Sequence, residues 1–260
     1  MKSLIIAINA EYMKVHKSKV IWITALVFVF VPSIMALFFY IAQKPELVAK
    51  LGLIGTKASL FGGSNWQSYW ELLVEIIAGI GLVGFGFITA WIFGREYTDH
   101  TVNDLLALPL SRNYIVFAKL IITVLICFIL TFVMILSGIT TGYLIRIEEF
   151  SMTYTIAELP KAMVTALLTM TLCTPVAFFS SYGRGYLLAI GFIILTMILA
   201  QLSGAIGAGV YFPWAIPGTY SMPSSPDTQA VTTSSLIILF TTSIIGLFST
   251  LAWWRYADQR

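Results

Sequence analysis

Six long runs of apolar residues decide what this chain can fold into. Each is close to or longer than the roughly 20 residues that a helix needs to cross a bilayer. They lie at about 20–43, 72–93, 115–145, 162–182, 186–204 and 234–254. Only 10% of the 260 residues are charged, whereas soluble domains carry roughly 25%. The sequence therefore predicts an all-α polytopic membrane protein with six transmembrane helices.

The segments between these runs divide a single transmembrane domain into parts. At the N-terminus, residues 1–19 repeat apolar side chains such as Leu4, Ile8 and Val15 at helical spacing, with Glu11 on the opposite side. This pattern predicts an amphipathic helix lying in the membrane interface. The further parts are spans one and two (20–93), a polar segment (94–112), spans three to five (113–204), a Gly- and Pro-rich segment (205–233), and span six with its tail (234–260).

The placement of lysine and arginine orients the chain. With the N-terminus inside, ten of the fifteen Lys and Arg residues fall on the inner side, and the outer side holds Lys44, Lys50, Lys57, Arg146 and Lys161. Because cytoplasmic segments carry the excess of these residues, we predict a multi-pass cell-membrane protein with both termini in the cytoplasm. The polar segment between the second and third spans then faces the cytosol, and the Gly- and Pro-rich segment faces outward.

A polar stretch between the second and third runs holds a large share of the charge. It reads GREYTDHTVNDLLALPLSR, in which Leu105 and Leu106 form a short apolar ridge, Thr101 is placed to cap a short helix, and Pro109 ends it. Lys119 follows near the start of the next run, where it can snorkel to the inner surface. A short capped helix with one apolar face, placed between two spans, is suited to docking another protein. The alternative is a solvated connector whose basic residues set the topology.

Side chains that carry chemistry are scarce inside the runs. Both histidines lie in polar segments and no aspartate lies inside a span, which removes the groups that intramembrane proteases need. Cys127 and Cys173 lie in apolar runs without a CxxC spacing, which predicts buried thiols that behave as small apolar side chains. The sequence has no phosphate-binding loop of the Walker type. We therefore predict no catalytic residue, metal or cofactor on this chain.

Four residues on the predicted outer side are candidates for the translocation path or an outer gate. Glu75 lies near the outer end of the second run, where it is either a cargo or helix contact or an interfacial carboxylate. Pro213, Trp214 and Pro217 lie in the Gly- and Pro-rich segment, which either gates an exit or only caps the assembly. The tryptophans that precede the second run predict aromatics at the membrane interface.

The stretch GREYTDHTVNDLLALPLSRNYIVFAKL resembles the cytosolic loop of ABC type-2 permeases, the membrane subunits of ABC exporters. The features in common are an acidic residue, a Thr, a Leu-rich turn, a Pro, a Ser-Arg pair and a Lys in the next span. In this chain they are Glu96, Thr101, Leu105, Leu106, Pro109, Ser111, Arg112 and Lys119. The six-span layout also matches this family, and YFPWAIPGTYS at 211–221 resembles the outer loop of the bacitracin-resistance-type group.

This resemblance implies a division of labour. The chain would form the translocation path, and two copies of a cytosolic ABC ATPase would bind Mg and ATP and hydrolyse the ATP. A second permease chain, identical or different, and membrane lipids would be the further partners, with no nucleic acid. The implied ATPase-coupling residues, of which the two arginines could pair with acidic residues of the ATPase, are Arg95, Glu96, Thr101, Asp104, Leu105, Leu106, Pro109, Ser111, Arg112 and Lys119.

The resemblance also implies a cargo class, namely antimicrobial peptides, drugs or lipid-like compounds that the complex exports. Two alternatives stay open at this point. One is an immunity or sensor protein in the membrane that binds such peptides without moving them. The other is a membrane-embedded enzyme acting on lipids, although the spans lack the cluster of acids and histidines that such an enzyme needs.

Overall fold

The computed structural model describes residues 2–44, 46, 48, 50, 52, 65–102, 111–222 and 230–257. That part of the chain holds helices and no strand, apart from an isolated bridge between Asn65 and Glu148. In chain order the helical elements are α1 (Lys2–His16), α2 (Lys19–Ala42), α3 (Trp66–Thr98), α4 (Arg112–Ile145), α5 (Met152–Thr171), α6 (Cys173–Tyr182), α7 (Leu187–Ala205), a 3-10 turn (Gly209–Tyr211), α8 (Ile216–Ser221) and α9 (Thr233–Tyr256).

Six helical segments are long and apolar enough to cross a membrane, namely α2, α3, α4, α5 joined with α6, α7 and α9. The prediction of an all-α polytopic membrane protein with six transmembrane helices is confirmed. Four of these segments begin at a polar cap, because Ser18, Asn65, Ser111 and Ser151 each accept a bond from a backbone N–H of the first turn. Three boundaries differ from the apolar pattern by five residues or more, since α3 begins at Trp66 and ends at Thr98, and α5 begins at Met152.

Close contact between α3 and α4 forms the centre of the bundle. A Cβ atom at Gly142 would lie 2.5 Å from Trp66 Cζ3, and one at Gly138 would lie 2.6 Å from Leu73 Cδ2. Tyr69 donates its hydroxyl to the carbonyl of Gly138 at 2.8 Å. Membrane helices associate through small residues in this way, because lipid tails leave no hydrophobic driving force between them. The two glycines therefore set how closely these two helices approach.

Aromatic side chains fill the end of the bundle where α3 begins. Trp66 and Trp70 are each 1% exposed, and Trp66 Nε1 donates to Thr155 Oγ1 of α5 at 2.9 Å. Phe39 of α2 meets the Tyr69 ring edge-on, with 5.3 Å between the ring centroids. The tryptophans predicted at a membrane interface are thus packed inside the bundle, because α3 starts at Trp66 and directs both rings inward.

The fourth span is interrupted at Leu172, which separates α5 from α6. Pro175 has no N–H to donate to the carbonyl of Thr171, and the Thr174 hydroxyl donates to that carbonyl at 3.1 Å instead. The same hydroxyl donates to the carbonyl of Ser243 in α9 at 2.6 Å. The single hydrogen of this hydroxyl is therefore shared between two carbonyls near the interruption.

The first helix, α1, turns part of its polar side into the bundle. Ala7, Glu11 and Val15 are buried, and α1 packs against α4. Its outward side carries large apolar side chains that are 54–62% exposed, namely Ile5, Ile6, Tyr12 and Met13. The predicted placement of Glu11 on the solvent side is wrong, because cations of α1, α3 and α4 compensate its charge inside the protein.

Candidate functional site: a buried charge cluster beneath the central segment

Five charged side chains meet where α1, α3 and α4 converge. From α1 come Glu11 and Lys14, one helical turn apart, and from the end of α3 come the neighbours Arg95 and Glu96. Lys119, from the second turn of α4, completes the group. These five residues are named the charge cluster below. The cluster lies beside the stretch of chain that joins α3 to α4.

Each cation of the charge cluster contacts at least one of its two carboxylates. Glu11 accepts from Lys14 Nζ at 3.0 Å, from Arg95 Nη2 at 3.2 Å and from Lys119 Nζ at 3.3 Å. Glu96 lies 3.1 Å from Lys14 Nζ and 2.6 Å from Lys119 Nζ. Because both lysines bridge the two acids, the five charges form one connected network across three helices.

Four of the five side chains in this network are buried, so breaking its ion pairs costs much free energy. Lys119 is 0% exposed, Glu11 2%, Glu96 3% and Arg95 9%, whereas the side chain of Lys14 is 39% exposed. Charges removed from water are tolerated only when they are paired. Removing one member of such a buried pair leaves an uncompensated charge and costs roughly 3–5 kcal/mol.

The network shifts the pKa values of the two residues that α1 contributes. Burial alone raises the pKa of Glu11, but the charges of Lys119, Lys14 and Arg95 outweigh burial and place that pKa below its ordinary value. Burial alone lowers the pKa of Lys14, but Glu96 and Glu11 outweigh it and place that pKa above its ordinary value. Both groups are therefore charged at neutral pH.

Three of the predicted coupling residues belong to the charge cluster. Arg95 and Glu96, expected in a polar loop, lie inside α3 and are buried, and Arg95 pairs with Glu11 of its own chain. The predicted snorkelling of Lys119 is wrong. Its ammonium contacts both acids of the cluster and donates to the carbonyl of Ile92 at 3.0 Å, because these partners hold it inside the bundle.

Sequence reasoning missed Glu11 and Lys14 as members of this site. An acid and a lysine three residues apart on an amphipathic helix are typical of a solvated face. The signal that points to them is Lys119, because a lysine inside an apolar run needs an anionic partner. Glu11 is one of the few acidic residues on the same predicted side of the membrane.

The described residues on either side of the central segment, which is residues 103–110, are bonded to the bundle. The N–H of Thr101 bonds back to α3 at 2.9 Å, and Ser111 caps the start of α4. Arg112 Nη1 donates to the carbonyl of Trp254 in α9 at 3.2 Å. The remaining predicted coupling residues lie outside the described part of the chain, namely Asp104, Leu105, Leu106 and Pro109.

A cavity of about 160 Å³ opens between α3, α7 and α8. Of the four predicted path or gate residues, Glu75 and Trp214 line this cavity. Pro213 and Pro217 do not, since Pro217 is buried within α8 and Pro213 is half-buried just before it. The structure thus brings together two of the four residues, one from α3 and one from the segment before α8.

Comparison with known proteins places the chain in a family. A family model described as ABC-2 family transporter protein matches residues 7–203. The chain belongs to the ABC-2 family of transporter proteins. It is 24% identical over 197 residues to the bacitracin transport permease protein BCRB of Bacillus licheniformis, in an alignment that covers 74% of this chain and 92% of that protein. No solved structure shows a significant match.

Membership of the ABC-2 family makes this chain a membrane transport protein. The matched range contains all five residues of the charge cluster and Glu75, and it ends before Trp214, α8 and α9. Among the described residues of this ABC-2 chain, no group of three or more His, Cys, Asp or Glu could hold a metal ion. Its buried ionisable groups are engaged with one another across helices.

Proposed function

We propose that this chain is the permease subunit of an ABC exporter. It forms the translocation path, while two copies of a separate cytosolic ATPase bind Mg and ATP and hydrolyse the ATP. The observation that supports this most directly is the charge cluster, which joins three helices at the base of the central segment. That segment is where the proposal places the ATPase.

The charge cluster makes the base of the segment rigid. Moving the end of α3 away from α1 or α4 would separate buried charges, at a cost of several kcal/mol, so these three helices move together. The ring of Tyr97 in α3 meets that of Trp254 in α9 edge-on at 6.1 Å, and Arg112 holds the Trp254 carbonyl. A displacement of the central segment by the ATPase therefore moves α1, α3, α4 and α9 together as a rigid body.

The proposal includes orientation, assembly and cargo. Both termini and the central segment face the cytosol, and a second permease chain, identical or different, completes the path. The excess of lysine and arginine on that side supports the orientation. Similarity to a protein named as a bacitracin transport permease supports outward transport of antimicrobial peptides, drugs or lipid-like compounds, with a role in resistance.

Coexpression with an ABC ATPase from the same organism tests the docking step. We expect the tagged chain to retain this ATPase through purification, and Leu105→Asp to lose it because a charge enters the apolar ridge. Tyr256→Asp is the matched control, since Tyr256 ends α9, the helix that Arg112 contacts, and is 76% exposed. Retention of the ATPase by Leu105→Asp would refute docking at the segment.

Reconstitution in lipid vesicles tests the transport step. With the ATPase and ATP present, we expect bacitracin to accumulate on the side opposite the ATPase and to stimulate ATP hydrolysis. Binding of bacitracin without its movement would identify an immunity or sensor protein instead. Chemical change of a lipid by the purified chain alone would identify a membrane enzyme.

A further inference from the structure

Glu75 is a carboxylate with no cation to pair with in the described part of the chain. It lies in α3, about two and a half turns after the helix begins at Trp66, and it is exposed. The other two walls of its cavity, α7 and α8, contain no Lys or Arg. Lys161 of α5 donates instead to the carbonyl of Met222, on the cavity rim, at 3.2 Å.

An acid in this position requires an explanation. Ionisable residues in transmembrane helices are costly, and they normally face a partner, a cavity or a substrate path. The ion pairs of this protein show the usual solution, because both acids of the charge cluster are paired with cations. Glu75 departs from that pattern, because it lines a cavity and no described cation pairs with it.

An aromatic side chain lines the same cavity. Trp214 lines the cavity, and its Nε1 is buried without an acceptor among the described residues. Because this nitrogen has almost no accessible surface, Trp214 presents its ring to the cavity rather than its N–H. Gln201 of α7, which is exposed and lines the cavity, adds an amide.

Apart from Thr219, whose hydroxyl donates to the carbonyl of Ala215 at 3.1 Å, the rest of the lining is apolar and adaptable. It includes two flexible thioethers and small side chains, namely Ala78, Leu82, Met197, Ala200, Ala215 and Met222. The Trp214 ring is held edge-on against Phe192 of α7 at 5.3 Å. A carboxylate beside a fixed aromatic ring attracts organic cations, and methionines accommodate hydrocarbon groups of varied shape.

We propose that this cavity is a binding site for an amphipathic organic cation. Glu75 pairs with the ammonium or guanidinium group, the ring of Trp214 contacts the cation, and the apolar lining takes its hydrocarbon part. The inference rests on the proposed export function and names the chemical class of the cargo.

Octylammonium is the probe for this site. Octanol, which has the same alkyl chain and no charge, is the control ligand. The full chain is purified into nanodiscs of zwitterionic lipid and titrated calorimetrically, with the heat of empty nanodiscs subtracted. We expect wild type to bind octylammonium at least tenfold more tightly than octanol. Glu75→Gln should abolish that preference. Equal preference in wild type and Glu75→Gln, or no preference in wild type, would overturn the proposal.

The control variant is Glu71→Gln, one turn away on the same helix. Glu71 does not line the cavity, and it accepts a bond from Gln67 at 3.0 Å, so this variant should keep the wild-type preference. Glu75→Gln is isosteric and removes an unpaired charge, so its thermal unfolding midpoint should not fall. A change of oligomeric state in Glu75→Gln would mean that a second copy, not a ligand, faces this acid, and would overturn the site.

Failure of the site and failure of the proposed function give different results. The titration needs neither ATPase nor ATP. If wild type does not prefer octylammonium to octanol, the site is refuted while ATPase copurification and bacitracin transport are still expected. Loss of ATPase copurification would refute the export mechanism and leave octylammonium binding unchanged. In the reconstituted exporter, transport by Glu75→Gln at the wild-type rate would show that the cavity lies off the cargo path.

Discussion

A lysine without exposed surface shows how this bundle tolerates charge at the scale of one residue. Lys119 contacts both acids of the charge cluster and the carbonyl of Ile92, and its Nζ lies 5.9 Å from the Phe93 ring centroid. Every one of these contacts involves another helix. The residue therefore holds together elements that are distant in the sequence.

Replacing this lysine should be strongly destabilising. Lys119→Met leaves Glu11 and Glu96 buried with one cation fewer, so we expect the free energy of unfolding to fall by about 3–5 kcal/mol. Titration of the detergent-solubilised chain with dodecyl sulfate measures this change. Lys17→Met, at an exposed lysine just after α1, should change the same quantity by less than about 0.5 kcal/mol. Equal stability of the two variants would contradict the buried network.

Acid should weaken the contribution of Glu11 in a predictable direction. Its pKa in the folded chain lies below the ordinary value of 4.5, so its charge stabilises the folded state above pH 4.5 and this contribution is lost as the pH falls through the lowered value. We therefore expect the difference in unfolding midpoint between wild type and Glu11→Gln to be full at pH 6 and to shrink below pH 4.5. A difference that is constant over this range would argue against the pairing.

At the scale of helices, the sequence predicted which elements exist but not which way they face. Six apolar runs indicate six spans whatever they pack against, and Ser111 and Pro175 lie close to a helix start and a helix interruption. The inward face of α1 could not be predicted, because two of the three cations that pair with Glu11, namely Arg95 and Lys119, lie 84 and 108 residues away. Trp66 was misplaced for a related reason, since its partner Thr155 is 89 residues distant.

Gly142 provides a test of the packing between the two longest helices. Gly142→Ala would bring a methyl group to 2.5 Å from Trp66 Cζ3 and 3.1 Å from Tyr69 Cε1, so α3 and α4 must separate. We expect a loss of about 1–3 kcal/mol, measured by thermal unfolding in detergent. The matched control is Gly191→Ala on α7, where an added Cβ meets nothing within 4 Å. This substitution should stabilise the helix slightly, because alanine favours the helix more than glycine does.

For the whole molecule, the orientation in the membrane can be tested with two single-cysteine additions. Lys17 and Lys44 lie just before and just after α2, so a membrane-impermeant maleimide should distinguish them. In intact cells we expect labelling of Lys44→Cys, and labelling of Lys17→Cys only after permeabilisation. The native Cys127 and Cys173 are buried and give little background. The reverse pattern would place the central segment outside the cell and remove the proposed site of the ATPase.

The interruption at Leu172 has a mechanical consequence. α3 and α4 run for 33 and 34 residues without a break, or about 50 Å each at 1.5 Å per residue, which exceeds the full thickness of a bilayer of about 40–45 Å. Each is a stiff helix long enough to cross the whole bilayer, whereas the span made by α5 and α6 is interrupted partway along. A tilt applied at one end of a stiff helix reappears at the other, while the interrupted span can flex and leave its neighbours undisturbed.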